Sequence, residues 1–497
     1  MVGAGIGGLS AAALLASAGH SVAVFEQGEK WGGYAQSITS GPYTFDPAVH
    51  VFPQGGDAEL PAAMLRYLGV ADRCRMLPAH ANYSAVFPGL VFHAPFGLEE
   101  FIEAHVRAFP REAAGIDRFF RLCRQVHREA HQLPPQIGLA NLDAVAAAFP
   151  TLVRYLRATV ESVLDECLVD YRLKALCSVL WPYPGCVPSR LSFVTFATTV
   201  SVYLDGGFYC EGSFQSLADA FAAAVSQHGG EIVLRSLVTK ITVDGDRAAG
   251  VVLADGSHIG AGVVISNADA RKTLDELVGP EHLPAPFMRR LRRMHPSLSA
   301  TVVFAAAKLD LDPAFAHEIF RARHFNHDHT HRDMMDGRPG GMWASVPTVL
   351  DPSLAPPGEH IISMTCMARY DIDEPWPDVI ESYADEVIDE FECVFPGLRG
   401  NLTFVTKATP LTLESLSLNT GGAAYAWENT PAQSGGKRTP HQPPLAGLFF
   451  SGAWTQPGSG SLRAIVSGMH TAQLVLAAAG ADPLDFEHTD LPPADQQ

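Results

Sequence analysis

The first residues of the chain alternate apolar and polar stretches in the order turn, helix, strand. An alanine- and leucine-rich run predicts a buried helix from about Leu9 to Ala18, and the stretch SVAVFE predicts a strand ending in Glu26. Three glycines precede the helix at the spacing of a dinucleotide-binding turn: Gly3, Gly5 and Gly8. In such a turn the helix N-terminus faces a pyrophosphate, and an acid at the end of the second strand binds the ribose hydroxyls. The pattern predicts a nucleotide site, and a purely structural turn is the alternative.

Further along, helical and strand-like patterns occupy separate blocks. Apolar residues recur every three or four positions from about 97 to 180, which predicts helices, and prolines interrupt them at 134, 135, 182, 184 and 188. From about 206 the pattern predicts a helix, a hairpin at 244–246 and an apolar strand at 263–265. Strand-like stretches alternate with a helix over residues of about 290–440, and the stretch LFFSGAWTQPGSGSLRAIVSG is typical of strand, glycine-rich turn and helix. This last block predicts a return to the unit that the first residues begin.

Composition narrows the classes of partner and location. The chain has 497 residues, of which 47% are hydrophobic, so it can form several domains with a large core. A net charge of −18 without basic runs excludes nucleic acid as a partner. The sequence shows neither a signal peptide nor an apolar stretch of the ~18 residues that a membrane span needs, so a cytoplasmic location is expected. The eight cysteines are scattered and form no CxxC pair, which predicts reduced, mostly buried thiols.

The histidine-rich run HFNHDHTHRD raises the question of a metal site. On a strand, His327, His329 and His331 would share one face. The run has no apolar frame and no acids at the spacing that would orient such ligands. A solvated loop or edge strand is therefore favoured, and no metal is predicted.

Four separated stretches together resemble one family of flavoenzymes. They are GAGIGGLSAA…VFEQ, WGGYAQS…FDPAVH, GG…GSFQSLADAF…VVISNADA and LFFSGAWTQPGSGSLRAIVSG. They are similar to the FAD enzymes that comprise bacterial phytoene desaturases, carotenoid (prolycopene) isomerases and retinol saturases, within the amine-oxidase-like flavoprotein superfamily. SVPTVLDPSLAPPGEHII and GCVPSRLS resemble the isomerase and saturase branch in particular. The resemblance covers essentially the whole chain and specifies FAD better than it specifies the substrate.

The resemblance implies roles in FAD binding for residues of all four stretches. The glycine turn and Glu26 would hold the pyrophosphate and the adenosine ribose, Val238 would meet the adenine through its backbone, and Gly452 would contact the ribityl chain. The turn 457–462 would direct backbone N–H groups at the flavin pyrimidine edge, where a helix N-terminus stabilises the reduced cofactor. The complete predicted set is Gly3, Gly5, Ile6, Gly7, Gly8, Glu26, Gln27, Gly32, Gly33, Tyr34, Ala48, Val49, His50, Val238, Asn267, Gly452, Ala453, Gly460, Ser461 and Leu462.

Three features depart from the relatives. Many of them have Arg at the position of Tyr34, so a phosphate contact is missing here, and they favour a small residue near Arg463. They also carry several apolar residues before the first glycine, whereas only two residues precede Gly3. The first strand is therefore expected to be unusually short or to start upstream.

The implied fold is α/β, with a Rossmann-like FAD-binding domain that is interleaved with two further units. The FAD-binding domain has a doubly wound sheet and comprises residues 1–70, 206–285 and 440–482. A helical lid spans 71–205, an α+β substrate domain spans 286–439, and an acidic, proline-rich stretch predicts a flexible tail at 483–497.

Candidate catalytic residues follow from the same resemblance. His50 follows FDPAV, where relatives run past the isoalloxazine ring, so it is a candidate acid, base or orienting donor; a hydrogen-bonded structural histidine is the alternative. Tyr425 and Glu428 precede the last FAD motif and are candidates for the wall of the site, with a packed loop as the alternative. Trp454 is expected to pack near the flavin.

The stretch TLVRYLRATVESVL would place Leu152 and Tyr155 on one helix face, which fits either a membrane surface or the core.

Three functions remain open at this point. The first is an FAD-dependent oxidoreductase or isomerase that desaturates, isomerises or saturates a long hydrophobic polyene or isoprenoid. The second is amine oxidation, which Ser461 weakens because amine oxidases usually have Tyr at that position. The third is a prenyl-binding escort protein without FAD, against which the intact glycines and Glu26 argue. The expected partner is a hydrophobic small molecule, with peripheral membrane contact left open and no oligomeric state predicted.

Overall fold

The structure is a computed structural model, and it describes residues 1–57, 59–132, 142–484 and 486. Its α-helices are Ile6–Ser17, Leu60–Tyr67, Leu98–Ala108, Ala113–Gln132, Leu142–Ala148, Pro150–Tyr155, Val160–Cys167, Tyr171–Cys177, Phe193–Leu204, Gln215–Gln227, Ala285–Arg292, His327–Met335, Trp376–Phe391, Pro410–Ser417 and Ser461–Ala478, besides shorter turns. All eight cysteines lie in the described part and are free, as predicted.

A parallel sheet with Val2 at its centre forms the first layer. Its order is Glu231–Val233, Ala23–Phe25, Val2, Val264–Ser266, Leu448–Phe450. The N–H of Val2 donates to Ile265 O and that of Gly3 donates to Phe25 O, so the short first strand pairs on both sides. In chain order this is 3-2-1-4-5, and the order reverses beside Val2, which is where doubly wound sheets bind their ligands. The predicted α/β class is confirmed, and the first helix begins at Ile6 rather than near Leu9.

A seven-stranded mixed sheet forms the second large layer. Its order is Leu402–Ala408, Ser299–Ala307, His360–Ala368, Met342–Ser345, Glu318–Arg321, Tyr83–Phe87, Leu90–Ala94. Smaller sheets comprise Val238–Asp244 with Arg247–Leu253 and His258–Gly260, Ile38–Ser40 with Tyr43–Phe45, and Phe52–Pro53 with Gly207–Cys210 and Met76–Pro78. The last two strands of the large sheet come from the segment 71–205, so chain segments far apart in sequence share one sheet. The division into domains stays a prediction.

The helices from Leu98–Ala108 to Phe193–Leu204 form what we call the helical region. It packs on one face of the large sheet around its own apolar cluster. Phe101, Phe119, Phe120 and Phe193 are almost fully buried there. The expectation of one amphipathic helix over TLVRYLRATVESVL is wrong, because two helices end and begin within it, Pro150–Tyr155 and Val160–Cys167. Thr159 caps the second helix: its Oγ1 accepts from the Ser162 N–H, and the Ser162 hydroxyl reaches back to the Thr159 N–H.

Leu152 and Tyr155, which the single helix would have presented together, are buried at 3% and 5% exposure. Their face therefore packs on the core and is not free to meet a membrane. Among the described residues, no helix combines the length and apolar character needed to cross a bilayer.

The start of the predicted flexible tail is packed. Leu484 and Phe486 contact the core of the parallel-sheet region, and the Phe486 ring lies 5.2 Å from that of Tyr67. The remainder of the predicted tail, residues 485 and 487–497, lies outside the described residues.

Candidate functional site

The glycine turn closes around the side chain of Asn267. A Cβ added to Gly5 would lie 2.4 Å from Asn267 Oδ1, and one added to Gly8 would lie 2.6 Å from the carbonyl oxygen of Gly3. Gly3 itself has a φ of +88°, which glycine adopts at little cost. The Asn267 N–H donates to Val2 O, and its Nδ2 donates to Ser451 O at 3.0 Å. The turn thus needs glycine at each predicted position, and Asn267 ties it to the closing segment of the chain.

Two helices begin beside the glycine turn, and neither has a side-chain cap at its N-terminus. The helix Ile6–Ser17 has Gly5 as its N-cap and no acid in its first turn, and the helix Ser461–Ala478 has Gly460 as its N-cap and no acid either. The first intrahelical bonds run from Leu9 N to Gly5 O and from Ala464 N to Gly460 O. The N–H groups of residues 6–8 and 461–463 therefore have no acceptor within their helices. Such orphan donors, with the positive ends of two helix dipoles, suit an anionic group.

The opening and closing motifs touch through glycine. A Cβ on Gly7 would lie only 2.6 Å from Gly452 Cα and 2.9 Å from Ala464 O. The Ser451 hydroxyl donates to Gly7 O at 2.6 Å, and the Gly452 N–H donates to Ser467 Oγ at 2.9 Å. Ala453 follows directly, so residues 7–8 and 451–453 form one wall.

Glu26 lies where an acid would meet a ribose. It is 8% exposed, and its carboxylate accepts from the Ala4 N–H and from the Gly28 N–H, each at 2.8 Å. A carboxylate has about four acceptor sites, so it retains capacity for hydroxyl donors. Gln27 turns away and donates from Nε2 to Leu416 O. Val238 begins the strand that follows residues 235 and 236, whose N–H groups donate to carbonyls of 28 and 26.

Gly32 and Gly33 lie against the glycine turn, and Tyr34 points away from it. Gly32 bridges Gly5, and a Cβ on Gly33 would be 3.1 Å from Gly5 Cα. The Tyr34 hydroxyl donates to Ala423 O at 3.2 Å and accepts from Asn419 Nδ2 at 3.3 Å, and burial raises its pKa. Tyr34 therefore holds the 417–423 segment in place where relatives have a cation.

Trp454 takes part in the same arrangement. Its Nε1 donates to Asn419 Oδ1 at 2.9 Å, and its ring meets that of Trp427 edge-on at 4.8 Å. The side chain is thus fixed beside the predicted FAD contacts of the closing motif.

His50 is buried with one ring nitrogen bonded and the other unpartnered. Ala48 and Val49 lead into it, and it is 5% exposed. Trp343 Nε1, which can only donate, gives its hydrogen bond to His50 Nδ1 at 3.1 Å. Burial lowers the pKa of His50 to about 4, so the ring is neutral at pH 7 and carries its proton on Nε2. That Nε2 has no partner with hydrogen-bond geometry in the described part of the chain, although the nearby Asp46 carbonyl raises the pKa of the ring somewhat. His50 is therefore available as a donor to a bound molecule.

A buried acid that the sequence analysis missed lies on the same sheet face as Trp343. Glu318 pairs in register with Ser345, and Phe320 pairs with Trp343, so the four side chains share one face. Tyr183 donates from its hydroxyl to Glu318 Oε2 at 2.7 Å, and its ring lies 5.0 Å from Phe320 and 5.8 Å from Trp343. Burial raises the pKa of Glu318 to about 8. The sequence signal was weak: Glu318 directly precedes the apolar pair Ile319–Phe320 at the start of a four-residue strand, and Glu is almost never fully buried without a partner.

Tyr425 and Glu428 occupy different surroundings. The Tyr425 ring packs on Gly185, its N–H donates to Ser297 Oγ at 2.9 Å, and burial raises its pKa. Glu428 forms an ion pair with Arg190 Nη2 at 2.8 Å, and burial raises its pKa. No hydrogen bond within the described ranges joins Glu428 to His50, so these two predicted catalytic groups are not directly coupled.

Arg438 is a second residue that no motif in the sequence singles out. Its side chain is 1% exposed and donates to the carbonyl oxygens of Thr455, Trp427, Tyr425 and Ala453 and to Asn429 Oδ1. Desolvation lowers its pKa to about 9. The guanidinium thus joins the 425–429 loop to the 453–455 turn. Its neighbours in the sequence, GGKRTP, are typical of an exposed loop, and only the fold shows its acceptors.

The histidine-rich run forms a helix, so the expected loop or edge strand is wrong. Asn326 caps the helix His327–Met335, and its Oδ1 accepts from the His329 N–H. His327 is buried, accepts from Trp181 Nε1 at 2.9 Å and contacts Ala175 O through Nε2. The absence of a metal stays a prediction. Ligand atoms of His324, His329 and Asp333 lie within 4.8 Å of one another, but Arg338 already holds the Asp333 carboxylate at 2.6 Å.

These features fit FAD. The two uncapped helix N-termini suit its pyrophosphate and flavin edge, the Glu26 carboxylate suits its ribose, and glycines leave room for close approach of the backbone. The arrangement lies beside Val2, where the strand order reverses.

Comparison with known proteins agrees with this geometry. The family model described as flavin containing amine oxidoreductase matches residues 6–476. The chain is 26% identical to a neurosporene-forming phytoene desaturase of Rhodobacter capsulatus, over 96% of this chain and 93% of that protein. It is 26% identical to prolycopene isomerase 1 of an Oncidium hybrid cultivar, over 97% and 84%, and 24% identical to human all-trans-retinol 13,14-reductase, over 91% and 81%.

Solved structures share the fold. An oxidoreductase from Methanosarcina mazei superposes with a TM-score of 0.65 at 18% identity, over 94% of this chain and 98% of that one. Putrescine oxidase bound to putrescine superposes with a TM-score of 0.61 at 15% identity, over 96% and 98%. The predicted family and cofactor are confirmed: this chain belongs to the flavin containing amine oxidoreductase family and is an FAD-dependent oxidoreductase.

Proposed function

We propose that the protein exchanges a hydride between FAD and a C–C or C=C bond of a long hydrophobic polyene or isoprenoid. The observation that carries this proposal is similarity over nearly the whole chain to a phytoene desaturase, a prolycopene isomerase and a retinol 13,14-reductase. Desaturation, cis–trans isomerisation and saturation all remain within the proposal.

The chain contributes binding, orientation and exclusion of water. Bound FAD supplies the hydride exchange at its N5 atom. The N–H groups at the start of Ser461–Ala478 would hold the flavin pyrimidine edge, where the helix dipole stabilises negative charge. The orphan donors of residues 6–8 would hold the pyrophosphate, with Glu26 on the ribose.

We propose that His50 and the Glu318–Tyr183 pair are the polar groups beside the reacting carbons. The His50 Nε2–H is fixed in direction by Trp343 and has no described acceptor, so it would orient the bound molecule. Glu318, whose pKa of about 8 keeps most of it protonated at pH 7, would accept or release a proton through Tyr183. Tyr425 would form part of the wall, and Glu428 would fix that wall through Arg190.

Amine oxidation is the second candidate. Burial first, and the neighbouring Glu318 second, raise the pKa of Tyr183 and Tyr425. An acid among aromatic rings suits an ammonium group. Ser461 in place of the usual tyrosine opposes it, and the fold shared with putrescine oxidase does not decide substrate.

The decisive experiment is anaerobic incubation of the FAD-loaded protein, oxidised or reduced, with a panel of polyenes and a panel of hydrophobic amines. We expect the flavin absorbance to change with polyenes only, and the product to lose two hydrogens, keep its mass, or gain two hydrogens. His50→Phe should slow this change, while His20→Phe, which replaces an exposed histidine just after the first helix, should not. Flavin reduction by amines alone, or a protein that takes up no FAD, would refute the proposal.

Contact with a membrane surface is proposed separately. Val169 is 85% exposed and Tyr171, two positions further along the chain, is 66% exposed. These exposed apolar side chains support a shallow contact through which a lipid-dissolved substrate would enter. We propose a cytoplasmic location, with this contact as the point of attachment to the membrane surface.

A further inference from the structure

Arg463 extends from the first turn of the helix Ser461–Ala478 toward the helical region, and its charge is not neutralised there. Its Nη2 donates to Thr195 O at 3.3 Å and to Thr199 Oγ1 at 3.4 Å, both of which are neutral acceptors. No carboxylate of the described residues forms an ion pair with it. Desolvation lowers its pKa to about 10, which indicates an interior position. Since a guanidinium has five N–H donors, most of its capacity is unused by the described protein.

Two histidines four residues apart stand in the same positive field. His127 is 7% exposed, its Nδ1 has no partner in the described part of the chain, and its ring lies 4.2 Å from that of His131. Burial first, and then His131, Arg124 and Arg463, lower the pKa of His127 to about 3. The acid in this field, Asp205, is held by both terminal nitrogens of Arg124. A local excess of positive charge therefore remains in a protein whose net charge is −18.

We propose that Arg463, together with His127 and His131, binds the carboxylate of a substrate whose remainder is an apolar chain. A buried cation without a counter-ion is costly, and a carboxylate matches a guanidinium with two parallel hydrogen bonds. Neutral His127, whose Nδ1 is unpartnered, can donate one N–H to the same group, and the exposed His131 lies beside it.

The direction of Arg463 assigns it to the substrate rather than to the cofactor. Both of its acceptors and the nearby Tyr203 belong to the helix Phe193–Leu204, and its charge also reaches Arg438, a second buried cation. The cofactor turn of residues 3–8 contributes none of them. This proposal rests on the proposed function, because it names the head group of the hydrophobic substrate.

Binding measured without turnover tests the carboxylate site independently of the reaction. The probes are all-trans-retinoic acid and all-trans-retinol, which share a polyene chain and differ in the head group. Each is titrated into the FAD-loaded protein, with flavin absorbance and tryptophan fluorescence as readouts. Wild type should bind the acid at least about tenfold more tightly than the alcohol, as a charge-assisted bidentate pair provides.

Three variants decide the outcome. Arg463→Met should remove the preference for the acid and leave the affinity for the alcohol within about twofold. Arg463→Lys should keep part of the preference. Arg121→Met removes an exposed arginine from the helix that carries His127 and should change neither the preference nor the affinity for the alcohol. If Arg463→Met loses FAD, His127→Phe keeps the guanidinium and should still weaken acid binding several-fold. Equal binding of acid and alcohol by wild type overturns the proposal, and so does an Arg463→Met effect on the flavin reduction potential with an unchanged preference. Acid selectivity without polyene turnover would support the site and refute only the proposed reaction.

Discussion

Gly7 offers the sharpest test of how the cofactor site is built, because alanine there would press backbone against backbone. The added Cβ would lie 2.6 Å from Gly452 Cα, 2.9 Å from Ala464 O and 3.0 Å from Gly452 N. Ordinary contacts between carbon atoms are about 3.5–4.0 Å, so the helices Ile6–Ser17 and Ser461–Ala478 would have to separate by about 1 Å. Overpacking of this kind costs typically about 1–3 kcal/mol, with the upper part of the range expected because no side chain can yield.

The alanine also gains helix propensity, which offsets about 1 kcal/mol. The expected net loss in free energy of unfolding for Gly7→Ala is therefore about 2 kcal/mol. Separation of the two helices also moves the N–H groups of residues 6–8 and 461–463 relative to each other, so FAD affinity should fall by about tenfold or more.

Urea denaturation with and without excess FAD measures the first effect, and FAD titration of the apoprotein measures the second. Gly262→Ala is the matched control, since its Cβ meets nothing within 4 Å and its φ is not in the left-handed region. The control should be unchanged or slightly stabilised. Gly7→Ala behaviour equal to that of Gly262→Ala would refute the close contact between the opening and closing motifs.

Two further substitutions test the residues that only the fold reveals. Arg438→Met should lower the free energy of unfolding by about 3 kcal/mol, because it leaves several buried carbonyl oxygens unsatisfied. In the same urea experiment, substitution of an exposed arginine, Arg289→Met, should change the free energy of unfolding by less than about 0.5 kcal/mol. Similar losses in both variants would show that the buried hydrogen bonds are not needed. The folded pKa of Glu318 is about 8, above the ordinary value of 4.5, so the folded protein binds the extra proton between these pH values and its stability falls as pH rises through that window. Glu318→Gln should flatten this dependence between pH 5 and 8, and parallel stability curves for the two proteins would contradict a buried, protonated Glu318.

The cofactor side of the site was predictable because its determinants are local. The glycine spacing, the helix that follows and Glu26 all fall within 26 residues, and a second short motif surrounds Gly452. Each motif fixes a turn by the φ values and close contacts that only glycine permits, whatever the rest of the chain does. The family resemblance then supplied the pairing of the two motifs, which sequence spacing does not contain.

Two local errors had local causes. The second of the two helices, Val160–Cys167, begins at a cap formed by Thr159 and Ser162. The prediction of one continuous helix followed the apolar periodicity and did not take this cap into account. The histidine-rich run is a helix because Asn326 caps it and His327 finds buried partners in Trp181 and Ala175. In both cases polar capping at the helix N-terminus opposed the element that the neighbouring residues predicted.

The substrate side could not be predicted, because each of its pairs joins distant blocks. Trp343 reaches His50 across 293 positions, and Tyr183 reaches Glu318 across 135. Whether Glu318 and Trp343 share a face depends on the register of two strands in the seven-stranded sheet, and a shift of one residue would turn both side chains to the other face. The residues predicted to bind FAD lie outside that sheet. Changes in strand register or in the helical region can therefore alter the surroundings of His50 and Glu318 while the predicted FAD site is retained.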